Sequence, residues 1–204
     1  GEKTKINDLE SKLRPHDDYD IIQTSIFCDK TVCLSKLQEI KNKLIKSQYY
    51  FVTYTTLNNE NQFEGINVRL PRIDESQIID ELISENNFET LICLVTNDKI
   101  ELNGNKISSD QLYQTLKKKI ATKKKELNVC VHFDNKLNYE TYVKEFYNIR
   151  NAYYSVRREY SKVKFGDSDY EALDDSIISE IREIYPMRFA EINEKAYKRL
   201  KYAP

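Results

Sequence analysis

The chain has 204 residues and a mass of 24.2 kDa, with 40% apolar and 32% charged residues but only four Gly and four Pro, a balance that builds a core in regular elements and excludes wholesale disorder. The formal net charge of −1 gives no global attraction for nucleic acid or for an anionic membrane. No run approaches the roughly 20 apolar residues that cross a bilayer, and two His with four Cys, none of them in a Cys-x-x-Cys pair, argue against a Cys/His metal site.

Along the chain, residues 6–13 have helical spacing, and Pro15 with Asp17, Asp18 and Asp20 breaks them into an acidic connection. Over residues 35–50, Leu37, Ile40, Leu44 and Ile45 recur at helical spacing with lysines between them, which predicts an amphipathic helix with Ser35 as N-cap. The aromatic and β-branched run 49–57 reads as a strand, 58–65 as a polar turn, and 66–70 as a second strand stopped by Pro71. Residues 76–85 have the character of a short helix. Residues 88–96 form the clearest buried strand, and it runs into 98–102, then Asn103-Gly104-Asn105, then Lys106 and Ile107, where Asn-Gly between β-like arms is a strong hairpin signal.

Ser108 or Ser109 can cap the next helix, which carries Leu112, Leu116 and Ile120 on one face. In the strand 127–134, Val129, Val131 and Phe133 alternate with Cys130, His132 and Asp134, so one face is apolar and the other mixed. The most regular segment is 138–165, where Tyr139, Tyr142, Phe146, Ile149, Tyr153, Val156, Tyr160 and Val163 follow alternating steps of three and four. Such a stripe suits a coiled-coil seam or a helix lying on a sheet, and its aromatic members favour the sheet. Gly166 supplies the stop. Tyr170, Leu173, Ile177, Ile181 and Ile184 make a second helical stripe ended by Tyr185-Pro186, and a further short helix is expected over 188–202.

Charge is unevenly spread, with 15 Lys/Arg against 8 Asp/Glu over residues 98–166. Lys117, Lys118, Lys119, Lys123, Lys124 and Lys125 supply most of that excess on and just after a predicted helix, either as an anion-binding patch or as a solvated helix face. Cys28 and Cys33 enclose a short loop, Cys-Asp-Lys-Thr-Val-Cys, whose functional reading is a redox pair, but with no low-pKa context legible around them a structural disulfide or two free thiols is favoured. The opening Gly-Glu-Lys, without Met or a signal peptide, leads us to expect a mature fragment whose export signal has been removed.

The order strand, hairpin, helix, strand, long helix carries a family resemblance. The segment Thr90-Leu-Ile-Cys-Leu-Val-Thr-Asn-Asp-Lys-Ile-Glu-Leu-Asn-Gly-Asn-Lys-Ile-Ser with the helix behind it resembles the opening of an ExbD/TolR periplasmic domain. The stretches Tyr139-Glu-Thr-Tyr-Val-Lys-Glu-Phe-Tyr-Asn-Ile-Arg, Arg157-Arg-Glu-Tyr-Ser-Lys-Val-Lys-Phe-Gly and Ile181-Arg-Glu-Ile-Tyr-Pro resemble the branch of that family with a C-terminal extension. Upstream, Val52-Thr-Tyr-Thr-Thr-Leu and Gly65-Ile-Asn-Val-Arg-Leu-Pro look like the segment that leaves the membrane in those proteins.

The resemblance implies an α+β fold: a small mixed sheet with two helices packed on one face, an N-terminal segment of helix and strands over 1–87, the ExbD/TolR-like domain over 88–166, and a C-terminal helical extension over 167–204. It implies a non-catalytic periplasmic module without cofactor or metal, a homodimer that binds a TonB-like or Tol-like protein, an ExbB-type partner or peptidoglycan. Family members place a transmembrane helix with a proton-bearing Asp before the Val-Thr segment. Here residues 34–48 carry Lys36, Glu39, Lys41, Lys43 and Lys46, each costing several kcal/mol in hydrocarbon, so no residue is carried over to that role. The departure keeps a second expectation open, a secreted structural or interaction protein of the same fold with no transport role.

Enzyme signatures are weak. Cys130, His132 and Asp134 share one strand face, but same-face neighbours stand about 7 Å apart, too far for a nucleophile–base hydrogen bond. Pairs such as Asp17 with Asp20 or Asp174 with Asp175 read as turn or cap residues, and no Gly-rich phosphate loop, Gly-x-Ser-x-Gly or His-Glu-x-x-His occurs.

Overall fold

A computed structural model describes residue 8 and residues 23–57, 63–70, 88–167 and 169–202. The elements are β1 (Gln23–Phe27), α1 (Leu34–Lys46), β2 (Phe51–Leu57), β3 (Phe63–Arg69), β4 (Glu89–Val95), β5 (Ile100–Leu102), β6 (Asn105–Ile107), α2 (Ser109–Lys123), β7 (Leu127–Phe133), α3 (Tyr139–Phe165), α4 (Asp175–Ile184), β8 (Phe189–Glu191) and α5 (Glu194–Lys201). The chain divides into two compact units at Gln77/Ile78, with Asn135–Val143 belonging to the first. The readings of helix over 6–13, Asp8 apart, and over 76–85 lie outside the described residues.

The first unit holds a three-stranded sheet in the order β1-β2-β3, with β1 parallel and β3 antiparallel to β2. A parallel pair needs a crossover, and α1 supplies it. Helix α1 ends in a Schellman turn: Gln48 takes φ 65, Tyr49 N donates to Leu44 O and Gln48 N to Ile45 O, and the buried Tyr49 and Leu44 give the accompanying apolar contact. Its start differs from the sequence reading. Cys33, not Ser35, is the N-cap, and no side chain caps the helix. Instead, Leu34 N and Ser35 N donate to Leu137 O and Asn135 O, while Tyr139 N and Glu140 N at the head of α3 donate to Val32 O and Lys30 O. The loops before α1 and α3 thus satisfy each other's orphan helix amides. Just beyond, the buried Tyr139 hydroxyl lies 3.2 Å from both Ile26 O and Thr55 O, joining β1 and β2 to this junction.

Val52, Tyr54 and Ile26 bury one face of this sheet. On the other, Gln23, Thr53 and Asn67 form an exposed hydrogen-bonded ladder across all three strands. Strand β3 begins at Phe63, so the last three residues of the expected 58–65 turn are strand. Strand β1, unread in the sequence, is a short edge strand.

The second unit holds a five-stranded sheet in the order β6-β5-β4-β7-β8. The β5–β6 hairpin turns on Asn103 and Gly104, both at positive φ (50° and 81°), as a two-residue primed turn requires. Strands β4, β7 and β8 run parallel and in sequence order across the sheet, so right-handed crossovers place their connecting helices on one face. Helices α2 and α3 do run side by side there. Ser109 Oγ donates to Glu145 at 2.8 Å, Tyr113 OH meets Ser155 Oγ at 2.8 Å and Lys117 Nζ reaches Glu159 Oε1 at 2.5 Å. Leu112, Leu116 and Ile120 are fully buried, each contributing roughly 1.5–3 kcal/mol.

The α3 stripe is buried from Tyr139 through Val156, but only from Phe146 onward does it belong to this unit, Tyr139 and Tyr142 packing in the first unit instead, and Val163 is 87% exposed. Gly166 ends α3 at φ 78. The helix expected over 188–202 is confined to α5, which Asn193 caps through Ala196 N, and the residues before it form β8. On the sheet face opposite α2 and α3, α5 lays Ala196 and Tyr197 against Cys130, with Ile92, Leu94 and Leu200 around them. All seven residues of β7 are therefore buried. The buried Arg157 donates through Nε and Nη2 to Tyr185 O, at 3.0 and 2.7 Å. Tyr185 is the C-cap of α4, so the guanidinium satisfies an orphan carbonyl at the negative end of that helix.

One contact in the first unit is tight enough to test. A Cβ added at Gly65 would lie 2.6 Å from Thr53 Cγ2. We expect Gly65→Ala to lower stability by about 1–3 kcal/mol, and Thr53→Ser, which removes only that methyl, to recover most of the loss in the double variant. Urea denaturation of the four proteins of this cycle measures it; additive losses would contradict the contact.

Candidate functional site

The basic cluster lies at the C-terminal end of α2. The helix is entered through a capping box, Gln111 N to Ser108 Oγ at 3.2 Å and Ser108 N to Gln111 Oε1 at 2.8 Å, with Asp110 in its first turn and Lys123 in its last. That placement of charge matches the helix dipole. Because Leu112, Leu116 and Ile120 fix the buried face, the lysines between them must fan out over the two shoulders and the outer surface.

The fan separates the six lysines by environment. Lys117, on the α3 side, pairs with Glu159 at 2.5 Å, and that hydrogen bond raises its pKa. Lys119, on the other shoulder, pairs with Glu89 at the start of β4 at 2.5 Å, and Lys123, one turn on, reaches the same carboxylate at 3.3 Å. Lys119 and Lys123 are like charges at i,i+4, which repel on a helix face, and Glu89 between them relieves the repulsion. Its carboxyl is held below the ordinary glutamate value, first by the Lys119 hydrogen bond, against a smaller opposing effect of burial and with further help from Lys123.

Lys118, Lys124 and Lys125 are exposed and have no ion pair among the described residues. Lys124 is the C-cap of α2 at φ 53, ψ −120 and opens a 3₁₀ turn, Lys124–Glu126, that leads into the buried Leu127. A non-glycine residue at such angles is strained. The side chain present here is a lysine turned to solvent rather than the glycine that would relax the turn. The sequence located the basic cluster but not its division, because Glu89 and Glu159 lie 30 and 42 residues away from their partners and no local spacing announces them.

The other residues singled out in the sequence fall elsewhere. Cys130 and His132 lie on the β7 face beneath α5. Burial pushes the Cys130 thiol up to about 12, and His132 is stacked on Tyr197 with its Nδ1 3.0 Å from Ile192 O. Cys93, on the opposite face, is also pushed up to about 12, by burial and then by the Glu145 charge. Cys28 and Cys33 are unlinked thiols in the first unit. Cys33 Sγ lies 3.0 Å from Ser35 Oγ, and this hydrogen bond, followed by the Lys36 amide, lowers its pKa. The low-pKa context that the sequence did not reveal is created by folding. Among the described residues no group of His, Cys, Asp and Glu is arranged to hold a metal ion, and no helix is long and apolar enough to cross a membrane.

A family model described as biopolymer transport protein ExbD/TolR matches residues 49–157, from the start of β2 through most of α3. Comparison with curated proteins and with solved structures returned no match. The matched segment spans more than half of the chain, and the chain belongs to the ExbD/TolR family.

The Glu89 geometry fixes a pH dependence. A carboxyl whose folded pKa is depressed adds stability above its unfolded value, about 4.3, and that stability is lost as pH falls through the lower folded value. Exposure of the pair limits the contribution to about 1 kcal/mol or less. We expect NMR titration to find the Glu89 midpoint below the ordinary value and to find it raised in Lys119→Met/Lys123→Met; an unmoved midpoint would contradict the bridge.

Proposed function

We propose that the chain is a non-catalytic module of the cell envelope that binds a carboxylate-bearing partner through Lys118 on the exposed surface of α2 and Lys124 and Lys125 in the turn that follows it. Membership of the ExbD/TolR family, whose work is envelope transport and energy transduction, carries this reading. The partner it favours is a TonB-type or Tol-type protein or peptidoglycan on the periplasmic side, with the module acting as a homodimer.

The division of the lysines supports the choice of surface. A cation already paired with a fold carboxylate must break that pair before it can bind another, and it offers little net gain. Lys118, Lys124 and Lys125 carry no such cost. Glu126 is the acidic residue of the same turn, so the local balance there remains positive. With a Debye length of about 8 Å at physiological salt, such a surface acts at short range and weakens as salt rises.

The expected outcome for Lys118→Gln/Lys124→Gln/Lys125→Gln is an intact fold with reduced pull-down of peptidoglycan or of an acidic envelope protein. The wild-type interaction should fall with added salt. Binding that is unchanged in the variant, or insensitive to ionic strength, would remove this surface from the reading and favour a structural role without a transport partner. Light scattering at micromolar concentration should return the dimer mass, and a monomer mass alone would refute the homodimer.

A further inference from the structure

The loop between β1 and α1 carries two of the chain's four thiols. Asp29 begins a reverse turn closed by Val32 N to Asp29 O at 3.0 Å. Its side chain fixes the turn internally, accepting from Thr31 N at 2.8 Å and from Thr31 Oγ1 at 2.6 Å. The chain therefore folds back between Cys28 and Cys33, which flank the two ends of the turn. Both thiols are partly exposed, whereas Cys93 and Cys130 are enclosed in the second unit. Cys33 is also the N-cap of the 13-residue helix α1, with Lys36 in its first turn, a position where the helix dipole favours negative charge.

We propose that Cys33 is a thiol–disulfide exchange site and that Cys28 is its resolving partner. The two thiols differ in the sense this division of labour needs. The Ser35 hydroxyl, and then the Lys36 amide, bring Cys33 below the ordinary thiol value, while burial raises Cys28 above it. The thiolate is the attacking species, so Cys33 reacts first.

The reaction balances with an external small-molecule disulfide as oxidant. The Cys33 thiolate attacks one of its sulfurs, the S–S bond breaks, and the departing thiolate takes a proton from water. Cys28 then loses its proton and attacks Cys33 Sγ, releasing the second half of the reagent as a thiol. Two cysteine thiols are oxidised to one disulfide, and one external disulfide is reduced to two thiols. The same loop lends Lys30 O and Val32 O to the head of α3, so exchange here alters the segment on which the start of that helix is fastened. The proposal is independent of the envelope-binding reading and concerns the purified chain alone.

Oxidised glutathione tests it, with peptide mass spectrometry as the readout. In the wild type the 28–33 peptide should lose two hydrogens and keep no glutathione, while Cys28→Ser should retain one glutathione on Cys33. Cys33→Ser, which keeps a side chain suited to the N-cap, should react at least roughly ten-fold more slowly than Cys28→Ser near pH 7. Alkylation of the unmodified chain needs no variant and should label Cys33 before Cys28, with Cys93 and Cys130 unlabelled until the protein unfolds. Equal labelling rates at Cys28 and Cys33, or glutathione held on wild-type Cys33 without cross-linking, would overturn the proposal.

Discussion

A parallel strand pair cannot be closed by a tight turn, and three such pairs decide where the helices of this chain must lie. β1 and β2 are joined through α1, β4 and β7 through the hairpin and α2, and β7 and β8 through α3 and α4. In the second unit the strands advance in one direction across the sheet, so the right-handed connection rule stacks α2 and α3 on a common face. The opposite face is left for α5. The apolar content of β4 and β7 on both faces follows from that layering, as buried parallel strands require.

The charged surface is a by-product of the same layering. Helix α2 must present Leu112, Leu116 and Ile120 to the sheet, and lysines inserted between them leave the helix in every remaining direction. Where they meet α3 or the start of β4, fold carboxylates neutralise them. Lys118 on the outer surface and Lys124 and Lys125 in the strained turn after the helix face solvent. A sixfold basic run thus divides into three lysines paired with fold carboxylates and three with no ion pair among the described residues. Arg157 follows a related logic within its unit, placing donors on the C-cap carbonyl of α4 that no further helix turn can bond.

Much of the second unit was legible because its signals are local. The Asn103-Gly104 turn, a serine cap at 108 or 109 and the aromatic stripe of α3 each lie within a few turns of chain, and much of the family resemblance rested on those same segments. β1 and β8 were missed for the opposite reason. Gln-Thr-Ser-Ile-Phe and Phe-Ala-Glu are short edge strands whose partners lie 28 and 60 residues away in register, and parallel pairing leaves no hairpin signature. The N-cap was misplaced because the first amides of α1 are satisfied by carbonyls about a hundred residues on in the sequence, which removes the need for a capping side chain. The lysine patch was legible as composition, whereas its carboxylate partners and the depressed Cys33 thiol exist only once distant segments meet.

The place of β8 bears on how much of this sheet can stand alone. The segment that matches the family ends at residue 157, before β8 and α5. A fragment cut there would leave β7 as an edge strand with unpaired amides and carbonyls, and would bare Ile92, Leu94, Cys130 and His132 on the face that α5 now covers. Such an edge recruits other chains, and a fragment of that length would stick to itself. The residues beyond the match are therefore the part of this unit that keeps its sheet from growing across molecules.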